Sequence, residues 1–128
     1  MQQRIIDPVD GIYAATPDYV HALEVRNPDR FLFVSGTMGL EPCGRAPATL
    51  TGQLDLIWNN LRRILVEADM STDNIIRVTS YLGDREFAEA NQTARLTALG
   101  KRRVPTTAIV VETLQSDWLV EVEIIAAA

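Results

Sequence analysis

Between positions 51 and 69, Leu54, Ile57, Trp58, Leu61, Leu65 and Ala68 recur at three- and four-residue intervals, while Asp55, Asn59, Arg62, Arg63 and Glu67 mostly take the other side. That period predicts an amphipathic helix. Thr49 or Thr51 can cap its start, and Met70-Ser71-Thr72-Asp73 ends it. The pattern then shortens to alternation over 75–82, with Ile76, Val78 and Ser80 set against Arg77, Thr79 and Tyr81, which predicts a strand. Asp84 caps a second helix whose Phe87, Asn91, Ala94 and Ala98 share a face, and Gly100 is placed to stop it. Residues 19–25 read as a short strand closed by the turn Asn27-Pro28-Asp29. Residues 31–35 are nearly all apolar, which predicts a strand in the middle of its sheet. A glycine- and proline-rich loop follows over 36–47. Two more strands are expected at 106–113 and 118–126. In the last of them Val120, Val122 and Ile124 point one way and Glu121, Glu123 and Ile125 the other.

The order strand, strand, helix, strand, helix, strand, strand predicts one α+β domain over residues 1–128. Its sheet should be antiparallel or mixed, with both helices on one face. No helix remains for the other face, which carries Val, Ile and Thr in quantity. A monomer would leave that face wet, so association of copies is the physical expectation.

Composition narrows the functions. With 47% hydrophobic and 23% charged residues the chain is that of an ordinary globular protein. A net charge of −5 repels phosphate backbones, and the only basic run, Lys101-Arg102-Arg103, reads as a solvated helix end, so no nucleic-acid partner is expected. The single cysteine, Cys43, excludes an internal disulfide; it sits in the turn Glu41-Pro42-Cys43-Gly44 and reads as an incidental thiol. Neither it nor the lone His21 supports a metal site. The amino-terminal residues lack an apolar signal region, and no apolar run approaches membrane-spanning length, so no membrane partner and a cytoplasmic location are expected.

Several segments resemble one family. Residues 31–39, Phe-Leu-Phe-Val-Ser-Gly-Thr-Met-Gly, followed by Pro42, resemble the (F/I)-x-S-G-Q-x-x-x-x-P stretch of the RidA (YjgF) family, also labelled endoribonuclease L-PSP. Gly11-Ile12-Tyr13 resembles its G-x-Y-S-x-A segment, and Gln53 and Asn60 stand where its first helix carries Gln and Asn. Val78-Thr79-Ser80-Tyr81-Leu82 with Asp84, Phe87 and Asn91 resembles its next block. Pro105 and residues 119–126 resemble its close, P…(V/I)-E-(I/V)-E-x-x-A. The resemblance implies a chorismate-mutase-like fold and a homotrimer whose sheets line a central barrel, with three clefts each lined by two subunits. It implies hydrolysis of small 2-enamines or 2-imines to a 2-oxo acid and ammonia, with no cofactor and no metal. In the family an arginine two residues after the proline pairs with the substrate carboxylate, while a glutamate of the last strand and backbone groups position water.

This sequence keeps the glutamate, as Glu121, but the arginine position falls on Thr107. A bidentate guanidinium–carboxylate contact contributes roughly 1.5–3 kcal/mol, so a hydroxyl in its place weakens carboxylate binding about ten- to a hundredfold. Arg102 or Arg103 could reach into the cleft instead, although Pro105 interrupts the strand that would carry them. The expected catalytic residue is Glu121, against the alternative that it is half of a solvent-facing pair with Glu123. The expected ligand-binding residues are Tyr13, Ser35, Gly36, Thr37, Asn91, Thr106 and Thr107. Ser35-Gly36-Thr37 could offer N–H groups to a substrate oxygen, or could be only the turn after a strand. Tyr13 could close over a ligand or simply pack, and Asn91 could be a buried structural amide. Two functions compete: an imine or enamine hydrolase, and a trimer that binds a small metabolite without turning it over.

Overall fold

The computed structural model describes residues 1–128. Of the two candidate caps, Thr49 is the one used: its side chain accepts from the Gly52 N–H at 3.1 Å and starts helix α1 (Leu50–Glu67). The helix buries the stripe predicted for it, with Gln53 added: Leu54, Ile57, Trp58, Leu61 and Leu65 are all at most 3% exposed. At its far end the chain turns through Asp69 at φ 53°. There the Arg30 guanidinium donates to the carbonyls of Ala68 and Asp69, a cation at the negative end of the helix dipole. Asp84 accepts from the Glu86 N–H at 2.8 Å and opens a single 3₁₀ turn, Arg85–Phe87, which runs directly into α2 (Ala88–Leu99). Gly100, at φ 65°, ends it.

Six strands are present: β1 (Gln2–Ile6), β2 (Ala22–Arg26), β3 (Phe31–Met38), β4 (Ile75–Leu82), β5 (Thr106–Val110) and β6 (Val120–Ala127). The main sheet has the order β3-β6-β4-β5. Its pairs are antiparallel except β4 with β5, which run parallel with α2 as the crossover. β1 and β2 form a separate antiparallel ribbon.

The strands differ from the sequence expectation in several places: β2 starts at Ala22 and not at 19, β6 at Val120 and not at 118, and β3 runs on to Met38, into the stretch expected to be a loop. β1 was not anticipated, because all five of its residues are exposed and carry no burial pattern; backbone pairing with β2 and the exposed Arg4–Glu24 ion pair hold it. β3 lies at the edge of the sheet, not in its middle. Its apolar residues serve two faces, with Leu32 and Val34 packed on the core and Phe31 and Phe33 outside it. β5 stops at Val110, short of 113. In β4 a register shift between Ile75 and Arg77 turns Ile75, and not Ile76, into the core, where it is fully buried.

Alternation then sorts the sheet into two faces. Val78, Ser80 and Leu82 of β4 and Val120, Val122 and Ile124 of β6 lie at 2% exposure or less beneath α1 and α2. They belong with Leu54, Ile57, Leu61 and Leu65 to one continuous core, and each large side chain in it contributes about 1.5–3 kcal/mol. The other face carries Arg77, Thr79 and Tyr81 of β4, Glu121, Glu123 and Ile125 of β6, and Phe31 and Phe33 of β3. No element of the protomer covers it. Phe31 is 51% exposed, Phe33 74% and, on β5, Ile109 45%.

Candidate active site on the open sheet face

The uncovered face gathers the polar chemistry of the sheet. In the β3–β6 pair, Val34 stands opposite Ile124 and Thr37 opposite Val122, so Ser35 and Gly36 together oppose Glu123. Two residues against one is a β-bulge, which interrupts the ladder and re-aims the chain. A Cβ built on Gly36 would meet Glu121 Oε2 at 2.6 Å. The Glu121 carboxylate therefore rests directly over the Gly36 backbone, and an added Cβ would displace it. Thr37 Oγ1 donates to the Ser35 carbonyl at 3.0 Å, which braces the bulge.

Beside this lies a second pair. The Tyr81 hydroxyl donates to Glu123 Oε1 at 2.5 Å across the β4–β6 pairing. That bond, reinforced by partial desolvation and by the charge of Glu123, holds the Tyr81 phenol above its ordinary pKa of 10.0. Further along β4, Arg77 Nη2 donates to Thr107 Oγ1 at 3.1 Å. The parallel register pairs Thr79 with Thr107, which puts Thr107 on this face and Thr106 on the opposite one. A cavity of about 170 Å³ opens here among Phe33, Arg77, Thr79, Glu123 and Ile125.

The covered side sets the site's position through side chains that reach past the core. Gln53, 1% exposed, donates through Nε2 to the carbonyls of Pro47 and Asp117 at 2.9 and 2.7 Å and accepts from the Leu119 N–H at 2.9 Å. It thereby joins the loop after β3 to the start of β6, the strand that carries Glu121. Asn60 Nδ2 donates to the carbonyls of Met38 and Leu40 at 3.2 and 3.1 Å, fixing the end of β3. Gly39 lies so close to α1 that an added Cβ would fall 2.3 Å from the Gln53 carbonyl oxygen.

Of the residues expected from sequence to form the site, Ser35, Gly36, Thr107 and Glu121 come together on β3, β5 and β6. Four do not join them within the protomer. Thr37, beyond the bulge, stands opposite Val122 of the covered face. Thr106 faces away and donates to the Val104 carbonyl at 3.0 Å. Asn91 is 3% exposed on the inner side of α2, across the sheet from Glu121, and its amide oxygen has no partner. Tyr13 stands on the β1–β2 connection, 72% exposed, with its ring edge-on to His21 at 5.0 Å and its carbonyl accepting from His21 Nε2 at 2.8 Å. Arg102, one of two candidate replacements for the missing arginine, is committed elsewhere: it donates to the carbonyls of Thr72 and Ile75. Arg103 lies with Gln3, Ile5 and Leu23 against the β1–β2 ribbon. Sequence reasoning missed Arg77 and the Tyr81–Glu123 pair. Shared parity along β4 and β6 was their only available signal. The largest depression, about 710 Å³ between α1 and α2, is on the far side of the sheet and is walled by solvated groups such as Asp55, Arg62 and Glu89. It touches none of these residues.

The profile of the endoribonuclease L-PSP family matches residues 11–128. A RutC family protein of Pyrococcus abyssi is 32% identical over 111 residues, 84% of either chain. The chain belongs to this family, known also as RidA or YjgF. A RutC family protein of Aquifex aeolicus is 37% identical over 76 residues, and that match spans 58% of either chain. The fold agrees over its whole length with a Rid family protein of unknown function, YyfB of Yersinia pestis, at a TM-score of 0.84 and 22% identity. In this RidA-family chain Thr107 stands beside Thr79 on the open face, and Arg77 is the guanidinium that reaches it. No helix of the chain is long and apolar enough to cross a membrane.

Proposed function

We propose that the protein hydrolyses small imines or enamines in clefts formed where copies of the open sheet face meet, without a cofactor. The observation that carries this reading is the Glu121 carboxylate lying over the Gly36 backbone at a bulge, on a face that combines polar groups with exposed aromatics. Water held by Glu121 gives it a proton and adds to the C=N carbon of the substrate. That proton passes to nitrogen to complete the tetrahedral carbinolamine; Glu121 then takes the hydroxyl proton and returns it to nitrogen, and the C–N bond breaks to expel ammonia, leaving a carbonyl. An enamine enters the same sequence once its carbon has been protonated to the imine. Backbone N–H groups that the bulge leaves out of the ladder could stabilise charge developing on the substrate. Such acid–base help is worth about 10²–10⁴-fold in rate.

The uncovered Phe31, Phe33 and Ile109 support association, as a homotrimer in keeping with the family. An acidic chain without a basic groove gives little support to the ribonuclease activity in the family label. The test is a coupled assay with freshly generated 2-aminoacrylate, in which ammonia release should exceed the buffer rate. Glu121→Ala should lower the rate by about 10²–10⁴-fold while sedimentation shows the assembly unchanged. An unaltered rate in that variant would remove Glu121 from the chemistry.

One observation favours a second reading, a trimer that binds a small metabolite without turning it over: the family arginine is replaced by Thr107. Ligand binding with no ammonia release above the buffer rate would select it.

A further inference from the structure

We infer that Arg77 supplies the cation for the acidic end of this site's ligand, taking the place of an arginine at position 107, so that the ligand class remains a small carboxylate. This rests on the open face being the ligand site, as proposed above. Arg77 is rooted on β4, but its guanidinium is delivered to the neighbouring strand, where Nη2 meets Thr107 Oγ1 at 3.1 Å. The register sets Thr107 beside Thr79, one step along the same face from Arg77, a separation that an arginine arm spans. The charge therefore sits within hydrogen-bond reach of the side chain at 107.

Three further features fit a binding role better than a purely structural one. Arg77 forms no ion pair: every salt bridge in the protomer belongs to Arg4, Arg26, Arg45, Arg63 or Arg95. Only one of its five N–H donors is engaged, so a two-pronged contact with a carboxylate is still available. It also lines the cavity of about 170 Å³ that contains Thr79 and Glu123, well below the roughly 300–1,000 Å³ of sites for drug-sized ligands. A small acid with its carboxylate on Arg77 would present its other end toward the carboxylates of β6. Glu123 lines the same cavity and accepts from the Tyr81 hydroxyl, whereas Glu121 lies one same-face step farther from Arg77 along β6. A ligand anchored on Arg77 therefore extends its other end along β6 toward Glu121.

Pyruvate and its neutral amide, pyruvamide, are suitable probes, titrated into the full-length assembly by calorimetry or ligand-observed NMR. Arg77→Met should weaken pyruvate about ten- to a hundredfold, the range expected for loss of a charge-assisted pair, and leave pyruvamide unchanged. Arg77→Lys keeps the charge but loses the fork, and should fall between the two. In the Arg77→Met background, Thr107→Arg should restore pyruvate binding. In the wild-type background the same change sets two cations side by side and should gain much less. Circular dichroism and sedimentation of each variant separate loss of the site from loss of the fold, and Arg77→Lys provides the test if Arg77→Met does not assemble. If the wild type binds pyruvate and both Arg77 variants bind it equally well, the assignment of Arg77 is overturned while the ligand site stands. If the wild type binds neither probe, the reading of the open face as the ligand site fails, and this inference fails with it.

Discussion

The two faces of the sheet are built from the same strands, one residue out of phase, yet they are opposite in kind. Toward the helices, Val78, Leu82, Val120, Val122 and Ile124 are enclosed, and the one hydroxyl among them, on Ser80, is sealed in with no partner. Toward solvent, Arg77 donates to Thr107 and Tyr81 to Glu123, two isolated pairs beside Glu121 among half-exposed Phe31, Phe33 and Ile109. A close-packed face has no room for a ligand, even beside an unpartnered donor such as the Ser80 hydroxyl. The open face has that room, and it has apolar surface that water does not favour. In this fold, close packing and exposed polar groups are therefore segregated by strand parity, so a substitution's consequence should depend on whether its position along β6 is odd or even.

The largest effects should come from testing that segregation directly. Ile124→Ala removes a side chain that is 1% exposed at the centre of the core and should lower protomer stability by about 2–5 kcal/mol, read from urea denaturation. Phe33→Ala, one strand away and 74% exposed, should leave the protomer's own stability nearly unchanged and instead shift assembly to higher concentration, read by sedimentation. If Phe33→Ala destabilises as much as Ile124→Ala, whatever the protein concentration, the two faces do not differ as argued.

A smaller effect should sharpen the comparison by crossing it. Gln53 lies on the covered side, but its three hydrogen bonds hold the loop after β3 and the entry to β6, and through them the open face. Gln53→Ala leaves the Leu119 N–H without its partner and should lower stability by about 1–3 kcal/mol. It should also depress turnover in the ammonia assay by more than the unfolded fraction explains, because the start of β6 carries Glu121. A fall in activity that merely tracks unfolding would confine Gln53 to the core.

Parity is also what made one half of this protein legible and the other half obscure. α1 could be read from Leu54 to Leu65 because burial imposes its period on the sequence. The two sides of β6 could be read because Val120, Val122 and Ile124 had to be apolar. β1 could not: Gln2–Ile6 bury nothing, and a strand held by backbone bonds and one exposed ion pair leaves little trace in side-chain choice. The edge position of β3 was hidden for the converse reason, since Phe31 and Phe33 look like core residues whether a helix or another copy covers them. Within the site, Glu121 and Gly36 were recoverable from family motifs. Arg77 was not, because its meeting with Thr107 depends on the β4–β5 register, which the α2 crossover sets and no local pattern encodes. The buried place of Asn91, by contrast, was one of the two readings allowed by the helix face it shares with Phe87, Ala94 and Ala98.

The smallest effect concerns the polar pair of the open face and is read through pH. Donation from Tyr81 to Glu123 favours the protonated phenol, so the folded-state pKa of Tyr81 lies above the 10.0 it would have unfolded. Folding then holds a proton that the unfolded chain releases, and stability must fall as pH rises through that interval. The contribution is complete below about pH 10 and disappears as pH passes the raised folded value. Urea midpoints measured from neutral pH into this alkaline window should decline more steeply for the wild type than for Tyr81→Phe, and a phenolate absorbance difference between the two should place the titration above that of free tyrosine. Parallel midpoint curves would mean that the Tyr81–Glu123 bond does not persist in solution. The size of the shift also reports on the seam. A bond left in open water is weakly held, whereas one enclosed between copies is harder to break, so dilution that dissociates the assembly should lower the Tyr81 pKa toward its ordinary value.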